Sequence, residues 1–192
     1  MQAFLIATGL VALAEIGDKT QLLAFMLAAR FQRPWPIVWG ILAATVLNHA
    51  AAGALGTWLT GFVSPTALRW TLGLSFIAMA GWMLIPDKLD ADEQPKPGHG
   101  VFVTTLIAFF LAEMGDKTQI ATVALAARFP AEFIGVVAGT TAGMMLANVP
   151  AVLVGDRLAQ KLPVQLVHRV AAAIFALLGV ATLAGVGESW GF

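Results

Sequence analysis

Glu15-Ile16-Gly17-Asp18-Lys19-Thr20-Gln21 returns 98 residues later as Glu113-Met114-Gly115-Asp116-Lys117-Thr118-Gln119, and each copy lies in the middle of a long apolar stretch. A charged side chain at the centre of a bilayer costs roughly 2.5–3.5 kcal/mol on insertion scales. Residues of this kind therefore face a protein interior or a wet cavity, where they mark ion or proton paths. Two carboxylates and an ammonium, written twice, direct the search for function to this phrase.

The surrounding composition is that of a membrane protein. Hydrophobic residues make up 59%, charged residues 11%, and the mean hydropathy is +0.83, against about 25% charged residues in soluble domains. A formal net charge of +0 gives no electrostatic case for a nucleic-acid partner, and the absence of cysteine excludes disulfides and thiolate metal sites. The N-terminal apolar run leads into Glu15 and Asp18 without a basic leader, which is not the pattern of a cleaved signal peptide.

Apolar runs of membrane-spanning length fall at roughly residues 3–28, 35–60, 67–86, 101–127, 132–155 and 166–187. The expected fold is thus all-α and integral to the membrane, with six transmembrane helices. The hydrophilic segment 87–100, rich in Pro, Gly and charge, reads as a linker between a first three-helix repeat, 1–86, and a second, 101–192. The register of 98 residues holds to the shared Leu-Ala-Ala-Arg-Phe that ends at Phe31 and Phe129, and Asn48 with Gly53 and Gly56 is echoed by Asn148 and Gly155. Three spans are an odd number, so the second repeat is inverted relative to the first. The two motifs then meet near the midplane from opposite directions.

Loop charges give an orientation. With the N-terminus outside, Arg30, Arg33, Lys88, Lys96, Arg157, Lys161 and Arg169 collect on one side, against Arg69 and Arg128 on the other. The positive-inside rule then makes the linker cytoplasmic and both termini non-cytoplasmic.

On a continuous helix Glu15 and Asp18 share a face, as do Glu113 and Asp116, so converging motifs build a cage of four carboxylates. Gly17 and Gly115 permit close helix approach, or a local distortion that frees a carbonyl. Thr20, Thr118, Gln21 and Gln119 add neutral oxygen, and Asn48 and Asn148 are either ligands or interhelical hydrogen-bond donors. Such oxygen-rich sites suit calcium, magnesium and manganese. Four carboxylates with Lys19 and Lys117 leave a net −2, which one divalent cation neutralises. Without metal, the crowded carboxylates take up protons, so metal and protons compete, as cation/proton exchange requires. The lysines either pair with the glutamate four residues before them or serve as tethered cations in the empty site. His49 has no counterpart in the second repeat, so a packing or hydrogen-bonding role is expected ahead of proton carriage.

At these positions the chain resembles the Glu-x-Gly-Asp-Lys/Arg-Thr/Ser membrane proteins, the Gdt-type calcium and manganese transporters of Golgi, chloroplast and bacterial membranes. Every defining motif position is filled, at Glu15 to Thr20 and Glu113 to Thr118. The resemblance implies cation/proton antiport with the motif acids on the metal, and in the bacterial branch manganese export across the inner membrane, with calcium the alternative ion. No cofactor beyond the transported cation is implied; the partners are the lipid bilayer, the cation and protons. Two other readings share some of these features. An exporter of small organic cations such as basic amino acids would also use membrane acids, but no arginine deep in a span offers itself to a substrate carboxylate. An intramembrane aspartyl protease carries Gly-x-Gly-Asp, whereas Glu15 and Glu113 occupy the first position here, and a symmetric motif pair suits coordination better than an acid-base dyad.

Overall fold

The computed structural model describes residues 1–85, 100–154 and 164–186, and these are all-helical. The linker up to His99, Gly155, Arg157 and Lys161 lie outside the described residues. Among the described residues, eight α-helices follow in chain order: α1 (Gln2–Glu15), α2 (Lys19–Phe31), α3 (Pro34–Leu59), α4 (Pro65–Trp82), α5 (Val101–Glu113), α6 (Lys117–Arg128), α7 (Phe133–Val154) and α8 (Val164–Leu183). Six spans are made from these eight pieces, because the first and fourth are each broken in two at the repeated motif.

Three pieces are long and apolar enough to cross a membrane alone: α3, α7 with its leading turn from Pro130, and α8. α1 and α5, of 14 and 13 residues, are too short and cross only with their continuations α2 and α6. Prolines at the first turns of α3 and α4 start those helices without losing a backbone bond, and the Ser64 hydroxyl caps α4 by accepting from Ala67 N–H at 3.3 Å.

Packing follows the duplication. α1 lies along α7 as α5 lies along α3, α6 packs on α3 as α2 packs on α7, and α4 pairs with its counterpart α8. Each repeat thus lends its broken span to the unbroken second span of the other. Glycine allows the close approach in both pairs. A Cβ at Gly143 would stand 2.7 Å from the Thr8 carbonyl oxygen on α1, and one at Gly40 2.9 Å from the Phe102 carbonyl oxygen on α5.

Two apolar cores result. One gathers Ala7 and Leu10 of α1, Phe76 and Met79 of α4, Leu125 of α6 and Phe175 of α8; it lies towards the end where the Met1 ammonium meets Glu132 at 2.7 Å. The other gathers Leu23 and Leu27 of α2, Ile37 and Ile41 of α3, Phe109 of α5 and Ala151 of α7. Among the described residues, α4 and α8 contribute to the first core and not to the second.

Candidate cation site

The motifs lie where the spans break. Gly17 and Gly115 take φ of +83° and +75°, the left-handed region that glycine enters without a Cβ penalty. α1 therefore ends at Glu15, and Asp18 becomes the N-cap of α2; α5 ends at Glu113, and Asp116 becomes the N-cap of α6. The expectation that each Glu and Asp share one face of a continuous helix is corrected. They flank an unwound turn instead, at the C-terminus of one half-helix and the N-terminus of the next. Broken helices of this kind, with backbone and dipole ends turned to a cavity, are tolerated at membrane depth where protein surrounds them.

Each break is held by its own motif. The Gly17 N–H donates to Gln21 Oε1 at 2.9 Å, and the Gly115 N–H to Gln119 Oε1 at 2.7 Å. The Thr20 hydroxyl donates to Glu15, and the Thr118 hydroxyl to Glu113, across the turn. Gln21 also donates from Nε2 to the Ala147 carbonyl at 3.0 Å, whereas Gln119 Nε2 lies 3.4 Å from Asn48 Oδ1. Threonine and glutamine of the phrase thus fix the break and tie it to the neighbouring span.

The environments of the two breaks differ. His168 of α8 donates from Nε2 to the Ile16 carbonyl at 2.7 Å, and Val164 packs so closely on Gly17 that a Cβ there would lie 2.2 Å from its Cγ1. Around Gly115 a Cβ would meet nothing within 4 Å, and Met114 is exposed. Gly17→Ala should therefore suffer both the backbone penalty, about 1–2 kcal/mol, and a clash, while Gly115→Ala suffers the first alone. Melting in detergent should rank Gly17→Ala as the less stable; the reverse order would contradict this account of the first break.

Between the breaks the acids converge. Carboxylate oxygens of Glu15, Glu113 and Asp116, all buried, lie within 4.8 Å of one another. Glu15 Oε1 and Glu113 Oε2 are buried without a hydrogen-bond partner among the described residues. Asp18 stands apart from this group, held by Lys117 Nζ at 3.2 Å, and Lys19 Nζ reaches Asp116 at 3.9 Å. The lysines thus pair crosswise, each with the aspartate of the other motif, and not with the glutamate four residues earlier. Unwinding of the turn is the physical reason, since it removes the helical geometry that an i,i+4 pair requires.

Each asparagine reaches across to the other repeat. Asn148 Nδ2 lies 3.4 Å from Glu15 Oε2 and donates to the Met144 carbonyl at 3.1 Å, while Asn48 Nδ2 donates to the Phe110 carbonyl at 3.1 Å. Two histidine contacts were not legible in the sequence. Fully buried His49 places Nε2 3.4 Å from Glu113 Oε1, and His168 holds the first break. Neither has a partner within its own stretch of chain to signal the role. A cavity of about 530 Å³ lined by Gly17, Met83, Leu84, Val164, Gln165, His168 and Arg169 reaches the first break.

A paired set of broken helices converging on buried acids is the architecture of an ion pathway, and the comparisons with known proteins agree. The family described as divalent cation/proton antiporter GDT1 matches twice, at residues 3–91 and 101–189. The chain belongs to the GDT1 family. A Vibrio cholerae protein named "Putative manganese exporter" is 50% identical over 95% of this chain and 90% of its own length. A GDT1-like protein of Synechocystis is 31% identical over 94% of this chain and 96% of its own. The chloroplastic PAM71-homolog of Arabidopsis thaliana is 29% identical over 95% of this chain and 59% of its own. No solved structure matches. The double match is that of a two-repeat protein, and the protein is a multi-pass membrane transporter of cations, not an enzyme.

Proposed function

We propose that this GDT1 protein exports manganese across the bacterial inner membrane in exchange for protons, with Glu15, Glu113 and Asp116 as the ligands that receive the metal. The observation that carries this reading is the trio of buried carboxylates within 4.8 Å, contributed by both repeats. Asp18 completes the set when the Lys117 ammonium, 3.2 Å away, withdraws from it. Calcium is the alternative ion, and the name borne by the Vibrio relative favours manganese.

Exchange follows from electrostatics. Buried carboxylates that repel each other hold protons when no metal is present and give them up when a divalent cation arrives, so one site serves both ions in turn. The unequal cores support alternating access. α4 and α8 seat on the core of α1 and α6, and a cavity opens beside Gly17 at the first break. Transfer of this pair onto the α2–α5 core, its repeat-related counterpart, would expose the opposite side of the site. The loop charges support an orientation with both termini outside and the linker inside. In this cysteine-free chain, single cysteines at Arg33 and Phe62 should label from the cytoplasmic and external sides respectively, and the opposite pattern would reverse the orientation.

The reading is tested by titrating the purified protein in nanodiscs with Mn²⁺ in weak buffer. Metal binding should release protons, and Glu15→Gln/Glu113→Gln should bind no metal and release none. Binding without proton release would contradict the exchange mechanism, and unchanged binding by the double variant would remove the site.

A further inference from the structure

The two glutamates of the cluster have different neighbours. Glu15 receives Asn148 Nδ2 at 3.4 Å, whereas Glu113 faces the imidazole of His49, its Nε2 3.4 Å from Oε1. The residue that follows Asn148 in the second repeat is Val149, so this histidine breaks the symmetry of an otherwise duplicated site. His49 is fully buried, and its Nδ1 has no hydrogen-bond partner among the described residues. To bind a metal, Nε2 presents its lone pair and Nδ1 carries the proton, whereas with no metal an Nε2–H faces the Glu113 carboxylate.

The separation is informative. A strong charge-assisted hydrogen bond between nitrogen and a carboxylate spans about 2.7–2.9 Å, and 3.4 Å is longer. Two ligand atoms in adjacent octahedral positions, with bonds of about 2.1 Å, stand about 3 Å apart. Nε2 and Oε1 are thus spaced for a small ion to draw both onto itself with a shift of a few tenths of an ångström. Thr118 stays on the glutamate and keeps its carboxylate aimed at the cluster.

We infer that His49 Nε2 is a ligand of the transported cation and sets its selectivity for manganese over calcium. This rests on the exchange reading above and adds its specificity determinant. Calcium takes oxygen ligands, six to eight of them, while first-row transition ions accept imidazole nitrogen readily. A site of carboxylates alone would hold both ions; one nitrogen in the set favours the transition metal. Because His49 lies on α3 of the first repeat and Glu113 at the end of α5 in the second, the metal would also join the two repeats through this pair.

His49→Gln supplies an amide oxygen of similar reach in place of the nitrogen. In proteoliposomes it should still move divalent cations, with the manganese-to-calcium preference reduced about tenfold or more. An unchanged preference in a transporting variant would overturn the inference while leaving the exchange reading intact. A structural role for His49 would lower both fluxes together and leave their ratio alone.

Direct detection covers the case in which the variant fails to fold. The chain has three histidines, so His99→Gln/His168→Gln, without an affinity tag, leaves His49 alone. Pulsed EPR of Mn²⁺ bound to that protein should show imidazole nitrogen modulation. Bound Mn²⁺ without that modulation would overturn the ligand assignment alone. Absence of Mn²⁺ binding by the unmodified protein would remove the exchange reading, and this inference with it.

Discussion

Glu113→Gln is expected to abolish manganese/proton exchange, lowering metal flux at least about 100-fold, while the protein still inserts and folds. The amide keeps the size of the side chain and its ability to accept from Thr118, so the break between α5 and α6 retains its support. What disappears is one negative charge from a trio confined within 4.8 Å. Loss of even an outer partner of a metal ligand costs about 10- to 100-fold, and a direct ligand should cost more. Glu132→Gln is the control. Its carboxylate meets the N-terminus at the protein surface, where an ion pair contributes about 0–1 kcal/mol, so flux should stay near that of the unmodified chain. Equal flux in the two variants would remove Glu113 from the pathway.

The second large effect concerns stability. Lys117 is fully buried and its ammonium lies 3.2 Å from Asp18. Lys117→Met removes the positive charge at nearly constant volume and leaves Asp18 facing the interior without it. Breaking one side of a buried pair costs about 3–5 kcal/mol, whereas replacing both partners is often close to neutral. Lys117→Met should therefore lower the melting temperature strongly, and Asp18→Asn/Lys117→Met should recover much of the loss. A double variant no more stable than the single one would show that the crosswise pair does not stabilise the fold. Lys19→Met should cost less, because Lys19 is partly exposed and stands 3.9 Å from Asp116.

Much of this architecture is written in the chain. The six spans follow from apolar runs, and the double occurrence of one acidic phrase reveals the repeat and points to the proposed site. The break was also legible, though in a different code. Asp18-Lys19-Thr20-Gln21 and Asp116-Lys117-Thr118-Gln119 have the spacing of an N-cap residue followed three positions later by glutamine, a helix-start signal set inside an apolar run. Read that way, the phrase starts a helix at its lysine and ends one at its glutamate, which is what the structure shows. A shared-face argument assumes that the helix continues, and the positive φ of Gly17 and Gly115 removes that assumption.

Contacts that cross between repeats were not legible. The lysines choose the opposite aspartate, and His49 meets Glu113 across 64 positions of sequence. The first depends on how the two breaks face each other and the second on how α3 lies against α5, neither of which hydropathy encodes. The same holds for the seating of α4 and α8 on one core, since the sequence symmetry allows the other equally.

The central claim is that one buried acidic site exchanges metal for protons. Its most direct test is Mn²⁺ flux into proteoliposomes under an imposed pH gradient, with internal metal and internal pH read together and calcium as competitor. The account predicts manganese movement coupled to an opposite proton movement, with calcium competing weakly. Folded, inserted protein that moves manganese with no proton signal, or moves neither ion, would contradict it.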